Sequence, residues 1–513
     1  MLNFAANHAP ILTVLLPMLA SPIMVIAINR GIAYVLAQLA ALGALGLSLH
    51  MLLLTMDGSV LSYHLGGWAP PLGIEYRVDT ANAMLLVVIT LLASVVMPYA
   101  RKSIEDEIDP KHHTLFYACL MLCVSGLLGV TITGDAFNIF VFLEISSLST
   151  YVLVALGAKK DRRALSASYD YLVLGTIGAT FFVIGLGFIY QATGSLNLFD
   201  IASRIAEQGP TSRTLRSGFA FIVVGMALKF AMFPLHRWLP GAYAYAPSVV
   251  TAFLAATATK VALYVLMRFL FSVYSSTLGF ERDTVVYVLL PLSLLAMFVA
   301  SFMAVFQPNL KRMLAYSSLA QVGYMLLGIS LLTTLGLTST MAHLFNHAIT
   351  KGALFLAVGA IIFRTGTALA PGMAGLGKKM PWTCAAFVVA GLSLIGVPGT
   401  AGFISKFILL QAAFDKGWWF LGLLIVASSL IAVVYIWRVL EVLYLQPVPE
   451  EARTIKEAPL SLLLPTWFLA LACIWFGLDA DFVIDVSRTA AEGLLAGGFE
   501  GKGTVIIGPG GRP

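Results

Sequence analysis

Four lysines and one glutamate lie inside long apolar stretches of the sequence, where a charged side chain is costly. They are Glu144, Lys229, Lys260, Lys351 and Lys406. A charge at the depth of a lipid bilayer costs at least about 2.5 to 3.5 kcal/mol, so each of these groups needs a partner or a water-filled cavity. Acids and bases at such positions can accept and release protons. Their presence therefore indicates that charge moves across a membrane.

A polar stripe precedes and includes one of these lysines. His343, Asn346, His347, Thr350 and Lys351 are spaced i, i+3, i+4, i+7 and i+8, which places them on one face of a helix. A His-x-x-x-His pair can bind zinc, but the central glutamate and the third ligand of a zinc protease are absent. The stripe instead favours a proton relay through the two histidines. No cofactor motif accompanies it, and the four cysteines are expected to be small buried side chains.

Two of the lysines lie beside residues that interrupt a helix. Lys229 precedes Pro234, and Lys406 follows a segment that runs from Gly396 to Gly402 and contains a proline. A proline inside a helix removes a backbone hydrogen bond and frees carbonyl groups that can hold water or an ion. Interrupted apolar segments at matching places in two halves of a chain indicate ion sites in inverted repeats. The alternative is that the prolines are tolerated kinks, which would not explain the adjacent lysines.

The elements that carry these residues are predicted to be membrane-spanning helices. Of the 513 residues, 59% are hydrophobic and only 11% are charged, far from the averages of soluble proteins. We predict an all-α integral membrane protein with about 14 spans in a single transmembrane domain, residues 1–480. Residues 113–271 and 284–445 are predicted to be two inverted five-helix repeats, each with a broken helix, and residues 481–513 an extramembrane tail. The predicted spans are approximately 10–29, 33–55, 79–100, 114–132, 136–157, 168–191, 217–238, 243–271, 284–305, 312–331, 340–363, 384–410, 418–445 and 459–480.

The distribution of basic residues predicts the orientation. Lysines and arginines are concentrated in the odd-numbered connections, for instance 159–163, and the positive-inside rule makes those connections cytoplasmic. Both termini are then outside the cytoplasm, in a multi-pass protein of the cell inner (plasma) membrane. The net charge of +6 is explained by these loops, and nucleic-acid binding is not indicated. The first span lacks a basic n-region and is expected to be retained. Arg268, near the outer end of its span, can extend to the membrane surface, and this expectation assigns it no function.

Four motifs in fixed order carry a family resemblance across nearly the whole chain. They are Gly134–Glu144, Lys229 with Phe233–Pro240, His343–Lys351, and Gly396–Phe407. Together they resemble the antiporter-like proton-translocating subunits of respiratory complex I and of Mrp-type sodium/proton antiporters, and the resemblance is closest to the Mrp branch. Lys406 agrees with the relatives that carry lysine in the twelfth helix and departs from those that carry glutamate.

The resemblance implies a mechanism and partners. Glu144 would pair with Lys229 and act as the switch, and Lys260, His343, His347 and Lys351 would pass protons through water to Lys406. The chain would be one subunit of a hetero-oligomeric Na⁺/H⁺ antiporter in the lipid bilayer, exchanging H⁺ for a cation, expected to be Na⁺, with other membrane subunits beside it. The main alternative is a proton-pumping subunit of a redox-driven complex, which would make the chain part of a translocase. A self-contained solute carrier and a structural scaffold explain the buried charges less well.

Overall fold

The computed structural model describes residues 6–27, 29–208, 212–274, 279–497 and 503–508. These residues form nineteen α-helices. In the first half of the chain the helices are α1 (Ala9–Ala27), α2 (Arg30–Thr55), α3 (Thr80–Glu107), α4 (His113–Ile132), α5 (Ala136–Ala155), α6 (Arg163–Thr193), α7 (Leu198–Gln208), α8 (Arg213–Lys229), α9 (Trp238–Tyr245) and α10 (Ser248–Met267). In the second half they are α11 (Gly279–Thr284), α12 (Leu290–Val305), α13 (Leu310–Ser330), α14 (Thr334–Thr365), α15 (Pro381–Ile395), α16 (Ala401–Asp415), α17 (Trp419–Leu440), α18 (Leu460–Leu478) and α19 (Asp481–Leu495).

The prediction of an all-α membrane protein is confirmed. Within the described residues, 12 helical segments are long and apolar enough to cross a membrane. They correspond to twelve of the predicted spans, and the two remaining spans are the two that were expected to be broken. Three of the segments include π-helical turns, which extend α10 (Arg268–Val273), precede α12 (Val285–Leu289) and extend α17 (Glu441–Leu445).

The first broken helix is longer than the sequence predicts. Helix α8 ends at Lys229, an irregular segment follows, and α9 continues from Trp238 to Tyr245 before α10 begins. The predicted end of this span at residue 238 is therefore wrong, and so is the predicted start of the next span at 243. Hydropathy does not resolve two spans separated by so short a connection, because the sequence stays apolar through it.

The second broken helix consists of α15 and α16. Gly396 follows α15 in the left-handed conformation (φ 91°), which ends the helix. Helix α16 then begins at Ala401 and approaches the end of α15 so closely that a Cβ atom on Gly402 would lie 1.9 Å from the carbonyl oxygen of Ser393. The interruption predicted from the Gly/Pro-rich segment is confirmed.

A small sheet marks one end of the helix bundle. Strand β1 (Val60–His64) pairs antiparallel with β2 (Glu75–Val78) and parallel with β3 (Thr504–Ile507). We call this the sheet end. The opposite end, where α3, α5, α9 and α14 finish, is the loop end. The predicted tail, residues 481–513, contributes α19, which packs against α3 and α14, and β3. Its place outside the membrane and the boundaries of the two repeats stay predictions.

Helices α10, α13 and α14 form the centre of the bundle, since nearly all their residues are buried. Helix α14 contacts α10, α13, α15, α16 and α18. Helix α14 is therefore surrounded by other helices, and its polar stripe faces protein and not lipid. A polar side chain in such a place must be satisfied by another helix or by water, because lipid offers no hydrogen bonds.

Candidate functional site

Lys229 and Glu144 form an ion pair between α8 and α5. The Lys229 ammonium lies 3.2 Å from Oε1 of Glu144 and donates a 2.8 Å hydrogen bond to the hydroxyl of Ser147. Glu144 and Ser147 are three residues apart, so one face of α5 supplies both partners. The side chains of Lys229 and Glu144 are 6% and 25% exposed. The contact implied by the resemblance is thus present, while its role in transport stays a prediction.

The break after α8 places Lys229 at a helix C-terminus. The carbonyl groups of a helix end carry a partial negative charge, which favours a cation there. Ala231 adopts a positive φ of 58°, which turns the chain away from the helix axis. The indole of Trp238, the first residue of α9, donates a 2.9 Å hydrogen bond to the carbonyl of Leu228. One of the freed carbonyls is therefore satisfied by the second half of the same broken helix.

Lys406 lies in the half of the second broken helix that follows the interruption, whereas Lys229 lies in the half of the first that precedes it. Lys406 belongs to α16, and its ammonium donates 3.0 Å hydrogen bonds to the carbonyls of Leu394 and Ile395, the last two residues of α15. It also lies 3.4 Å from the hydroxyl of Ser429 and 4.7 Å from the ring centre of Tyr324. The sequence predicts carbonyls that hold water or an ion beside this lysine, and in the structure the ammonium itself binds two of them.

The two lysines differ in the charge that faces them. Lys229 contacts a carboxylate, whereas the contacts of Lys406 within the described residues are carbonyls, a hydroxyl and an aromatic ring. A cation among neutral dipoles in an apolar surrounding is held less firmly than one with a carboxylate beside it. The two sites are therefore chemically unequal, although both occur at a broken helix.

The histidines of α14 stack on each other but have different surroundings. Their rings are 5.8 Å apart and nearly parallel. Nδ1 of His343 is 2.8 Å from the hydroxyl of Ser405, and Nε2 is 2.9 Å from Oε1 of Gln321. Within the described residues, neither ring nitrogen of His347 has a protein hydrogen-bond partner. Both nitrogens of His347 are thus available to exchange a proton or to bind water.

Lys260 and Lys351 are buried near these histidines. Lys260 donates to the carbonyl of Ala255 on its own helix. Lys351 donates to the hydroxyl of Ser317 and, at 2.9 Å, to the carbonyl of Leu314, both on α13. Lys351 lies one helical turn after His347 on α14, and α14 packs against α10, which carries Lys260, and against α16, which carries Lys406. The structure brings these predicted residues together at the centre of the bundle.

Within the described residues, Lys229 has no hydrogen bond or ion pair with this central group. Its described polar contacts are both on α5, and α8 packs against α10, which carries Lys260. The predicted site residues therefore fall into two parts. One is the ion pair of α5 and α8, and the other is the group of lysines and histidines on α10, α14 and α16.

Several polar partners of the site were not predicted from the sequence. They are Ser317, Gln321, Tyr324, Ser405 and Ser429. The first three are spaced i, i+4 and i+7 on α13, so a second polar stripe, facing the one on α14, could have indicated them. The two serines belong to spans where a lone hydroxyl is common and carries little signal.

The expectation for Arg268 is wrong. Its side chain does not extend to the membrane surface but is only 5% exposed, and its Nη1 lies 2.7 Å from Oδ2 of Asp79. The π-helical turn that begins at Arg268 packs against α7 and α19.

Residues 133–432 match the family described as "NADH:quinone oxidoreductase/Mrp antiporter, TM". The chain belongs to this family. The motifs that carry the resemblance in the sequence all begin and end within the matched region, which confirms the expected family membership. The match also contains Glu144, the four lysines and both histidines.

Curated members of the NADH:quinone oxidoreductase/Mrp antiporter family come from both branches. The N subunit of NADH-quinone oxidoreductase from Desulforudis audaxviator is 38% identical over 93% of this chain and 97% of its own length. The D subunit of the Na(+)/H(+) antiporter from Alkalihalophilus pseudofirmus is 30% identical over 95% of this chain and 97% of its own. Both alignments span nearly the whole chain, so the similarity is not confined to the family core.

Solved structures of the family have the same fold. A chain in the structure of the Mrp complex from Dietzia sp. aligns with a TM-score of 0.85 and 25% identity, covering 96% of this chain and 97% of that one. A chain of the membrane-bound sulfane sulfur reductase, an archaeal respiratory membrane complex, also aligns with a TM-score of 0.85, at 28% identity and 96% and 98% coverage. Both are subunits of larger membrane complexes.

Proposed function

We propose that this chain is the proton-translocating subunit of a multi-subunit monovalent cation/proton antiporter in the cell membrane. The observation that carries the proposal is the Lys229–Glu144 ion pair at the end of a broken helix. An ion pair of this kind can hold a proton on the lysine while it is closed and release the proton when it opens. The relatives named as Na(+)/H(+) antiporter subunits support the choice of an antiporter.

The Lys229–Glu144 pair acts as the switch. Two unit charges about 4 Å apart interact by about 4 kcal/mol at an effective dielectric of 20, which is a factor of roughly a thousand in an equilibrium constant. Separating Glu144 from Lys229 removes this stabilisation from the ammonium form. The proton then becomes available to the neighbouring helix α10, against which α8 packs.

The central group passes the proton on. Lys260 on α10 receives it, the imidazoles of His343 and His347 relay it together with Lys351, and Lys406 is the last residue of the path. Charge repulsion moves the proton along this path, because α14 packs against the helices that carry Lys260 and Lys406, and like charges in an apolar surrounding disfavour each other. Lys406, with only neutral contacts described around it, is suited to release a proton.

The orientation and the exchanged ion are part of the proposal. The loop end carries the basic connection at 159–163 and lies in the cytoplasm, so the sheet end and both termini lie outside. Na⁺ leaves the cell in exchange for entering H⁺. The neighbouring subunits of the antiporter complete the transport unit, as the complexes that contain the two structural relatives suggest.

A second candidate function is proton pumping within a redox-driven complex. It is favoured by the relative named as a subunit of NADH-quinone oxidoreductase, at 38% identity, and by the fold shared with the sulfane sulfur reductase chain. The same ion pair and central group would serve it. The two functions differ in what moves the switch, which is an opposing cation gradient in one case and electron transfer in the other.

Antiport in everted membrane vesicles that carry the whole complex tests the proposal. Glu144→Ala and Lys229→Ala should each abolish proton movement triggered by added Na⁺ without any reductant. Lys102→Ala is the matched control, since Lys102 pairs with Glu105 in an exposed position. Normal exchange in either site variant, with the complex assembled, would refute the pathway. Proton movement in the unaltered complex that requires a reductant and ignores Na⁺ would favour the redox function instead.

A further inference from the structure

A second polar line leads from the central lysines towards the sheet end. Lys260, Tyr264 and Arg268 are spaced i, i+4 and i+8 on α10 and its π-helical extension, so they follow one face. All three side chains are buried. At 1.5 Å per residue, this face covers about 12 Å along the helix axis. Lys406, where the proposed path ends, belongs to a different helix, α16.

Arg268 is held in place by contacts on both of its sides. Its Nε and Nη2 donate hydrogen bonds of 3.1 and 2.8 Å to the oxygen of Tyr264. Its Nη1 lies 2.7 Å from Oδ2 of Asp79 and 3.3 Å from the hydroxyl of Ser272. Asp79 is itself fixed, because it caps α3 by accepting a 3.0 Å hydrogen bond from the amide of Asn82.

These contacts remove Tyr264 from proton transfer. A phenol oxygen has two lone pairs, and both are used by N–H groups of the guanidinium. The oxygen therefore has no acceptor site left for a proton that arrives from Lys260. The guanidinium also stays positively charged at every physiological pH and repels a proton that approaches it. An arginine in a polar pore excludes protons in the same way.

We propose that Arg268, positioned by Asp79, closes an outward proton exit that would otherwise run from Lys260 through Tyr264 to the sheet end. With this exit closed, a proton on Lys260 moves only towards the histidines of α14 and Lys406. The inference rests on the proposed function, because it takes Lys260 to be a proton carrier. Its consequence is different, however, since it concerns leakage in the absence of any exchanged cation.

The position of Arg268 in the fold agrees with this role. The π-helical turn that carries Arg268 packs against α7 and α19. An ion pair buried at such a place adds little to stability compared with a neutral pair of similar volume. A gain in stability therefore does not by itself explain this pair.

Passive proton leakage into proteoliposomes containing the whole purified complex tests the proposal. Leakage is driven by a potassium diffusion potential in the absence of Na⁺ and is read with a trapped pH-sensitive dye. Arg268→Met combined with Asp79→Asn removes the fixed charge and leaves no carboxylate unpaired. We expect it to raise the leak per complex several-fold, because the oxygen of Tyr264 is then free to accept a proton from the side of Lys260.

Two further variants separate a closed exit from a loss of structure. Asp79→Asn alone breaks the same ion pair but keeps the arginine, and its leak should stay within about twofold of the unaltered complex. Adding Tyr264→Phe to the double variant removes the oxygen that would carry the proton and should return the leak to the starting value. An unchanged leak in the double variant, or an equal leak in Asp79→Asn, would overturn the proposal.

The leak and the antiport assay fail independently. If Glu144→Ala leaves antiport intact, the proposed function is wrong whatever the leak of the Arg268 variant. If antiport is lost in Glu144→Ala but the leak does not respond to Arg268, only the closed exit is wrong. Adding Lys260→Met to the leaking double variant identifies the source of the protons. A leak that persists without Lys260 would also overturn the proposal.

Discussion

Replacing Ser147 by alanine tests how Lys229 is held more selectively than removing either charge. The hydroxyl of Ser147 accepts a 2.8 Å hydrogen bond from the ammonium, which is shorter than the 3.2 Å contact to Glu144. A hydrogen bond to a charged group contributes about 1.5 to 3 kcal/mol. Ser147→Ala leaves the ion pair and removes this bond, so it destabilises the ammonium form by about 2 kcal/mol. That value corresponds to a factor of about 30 in the equilibrium between the ammonium and the neutral amine of Lys229.

Ser147→Ala should slow exchange, because the proposed switch needs Lys229 in its ammonium form. If Lys229 must carry a proton in one step of each cycle, exchange slows by up to about thirtyfold, the factor by which the equilibrium shifts away from the ammonium form. The assay is Na⁺-dependent proton exchange in everted vesicles, normalised to the amount of assembled complex. Saturating Na⁺ keeps cation binding from limiting the rate.

Ser146 is the matched control, since it is the adjacent residue on the same helix. Its hydroxyl donates to the carbonyl of Leu143 within α5 and does not contact Lys229. Ser146→Ala removes a buried hydroxyl of the same kind and should leave the rate within about twofold. Exchange at the unaltered rate in Ser147→Ala, or an equal loss in both variants, would refute the reasoning that this hydrogen bond holds the switch.

Two further outcomes follow from the second broken helix. Lys406→Met should abolish exchange because it removes the proposed last proton carrier. Lys416→Met is the control and should not abolish exchange, although Lys416 also binds a backbone carbonyl. Equal exchange rates in vesicles with either variant would contradict this prediction. Gly402→Ala should prevent stable assembly or lower the thermal midpoint by several degrees, since its Cβ would lie 1.9 Å from a carbonyl oxygen of α15. Gly493→Ala, where the added carbon meets no neighbouring element within 4 Å, should not lower the midpoint in a detergent melting assay. An unchanged midpoint in the first glycine variant would show that α15 and α16 separate easily.

Much of the fold could be predicted because a bilayer leaves few alternatives. A span must be apolar, about 20 residues long and internally hydrogen-bonded, so composition alone locates it. The prediction failed at α9, where eight residues continue a helix after an interruption. It also missed the strand β3, whose pairing with β1 joins residues more than 400 positions apart. Neither feature has a local pattern in the sequence.

The candidate site was predictable in its charges but not in its contacts. Glu144 and the four lysines are conspicuous because each is costly where it lies. Ser405, Gln321 and Asp79 are not conspicuous, because a serine, an amide or an acid at a helix start has many ordinary uses. Their importance appears only when another helix brings a histidine or an arginine within hydrogen-bond distance. The error over Arg268 has the same origin.

The sequence by itself determined that this is a membrane protein of the antiporter-like family, with ionisable groups in its spans and two broken helices. These properties depend on residue type and spacing along one helix, and both can be read without knowing which helices are neighbours. The tertiary structure decided which charges are paired. Lys229 pairs with a carboxylate, Lys406 donates to carbonyl groups at a helix end, and Arg268 pairs with an aspartate that is distant in the sequence. Electrostatic interaction depends on distances of a few ångströms between helices, and only packing sets those distances.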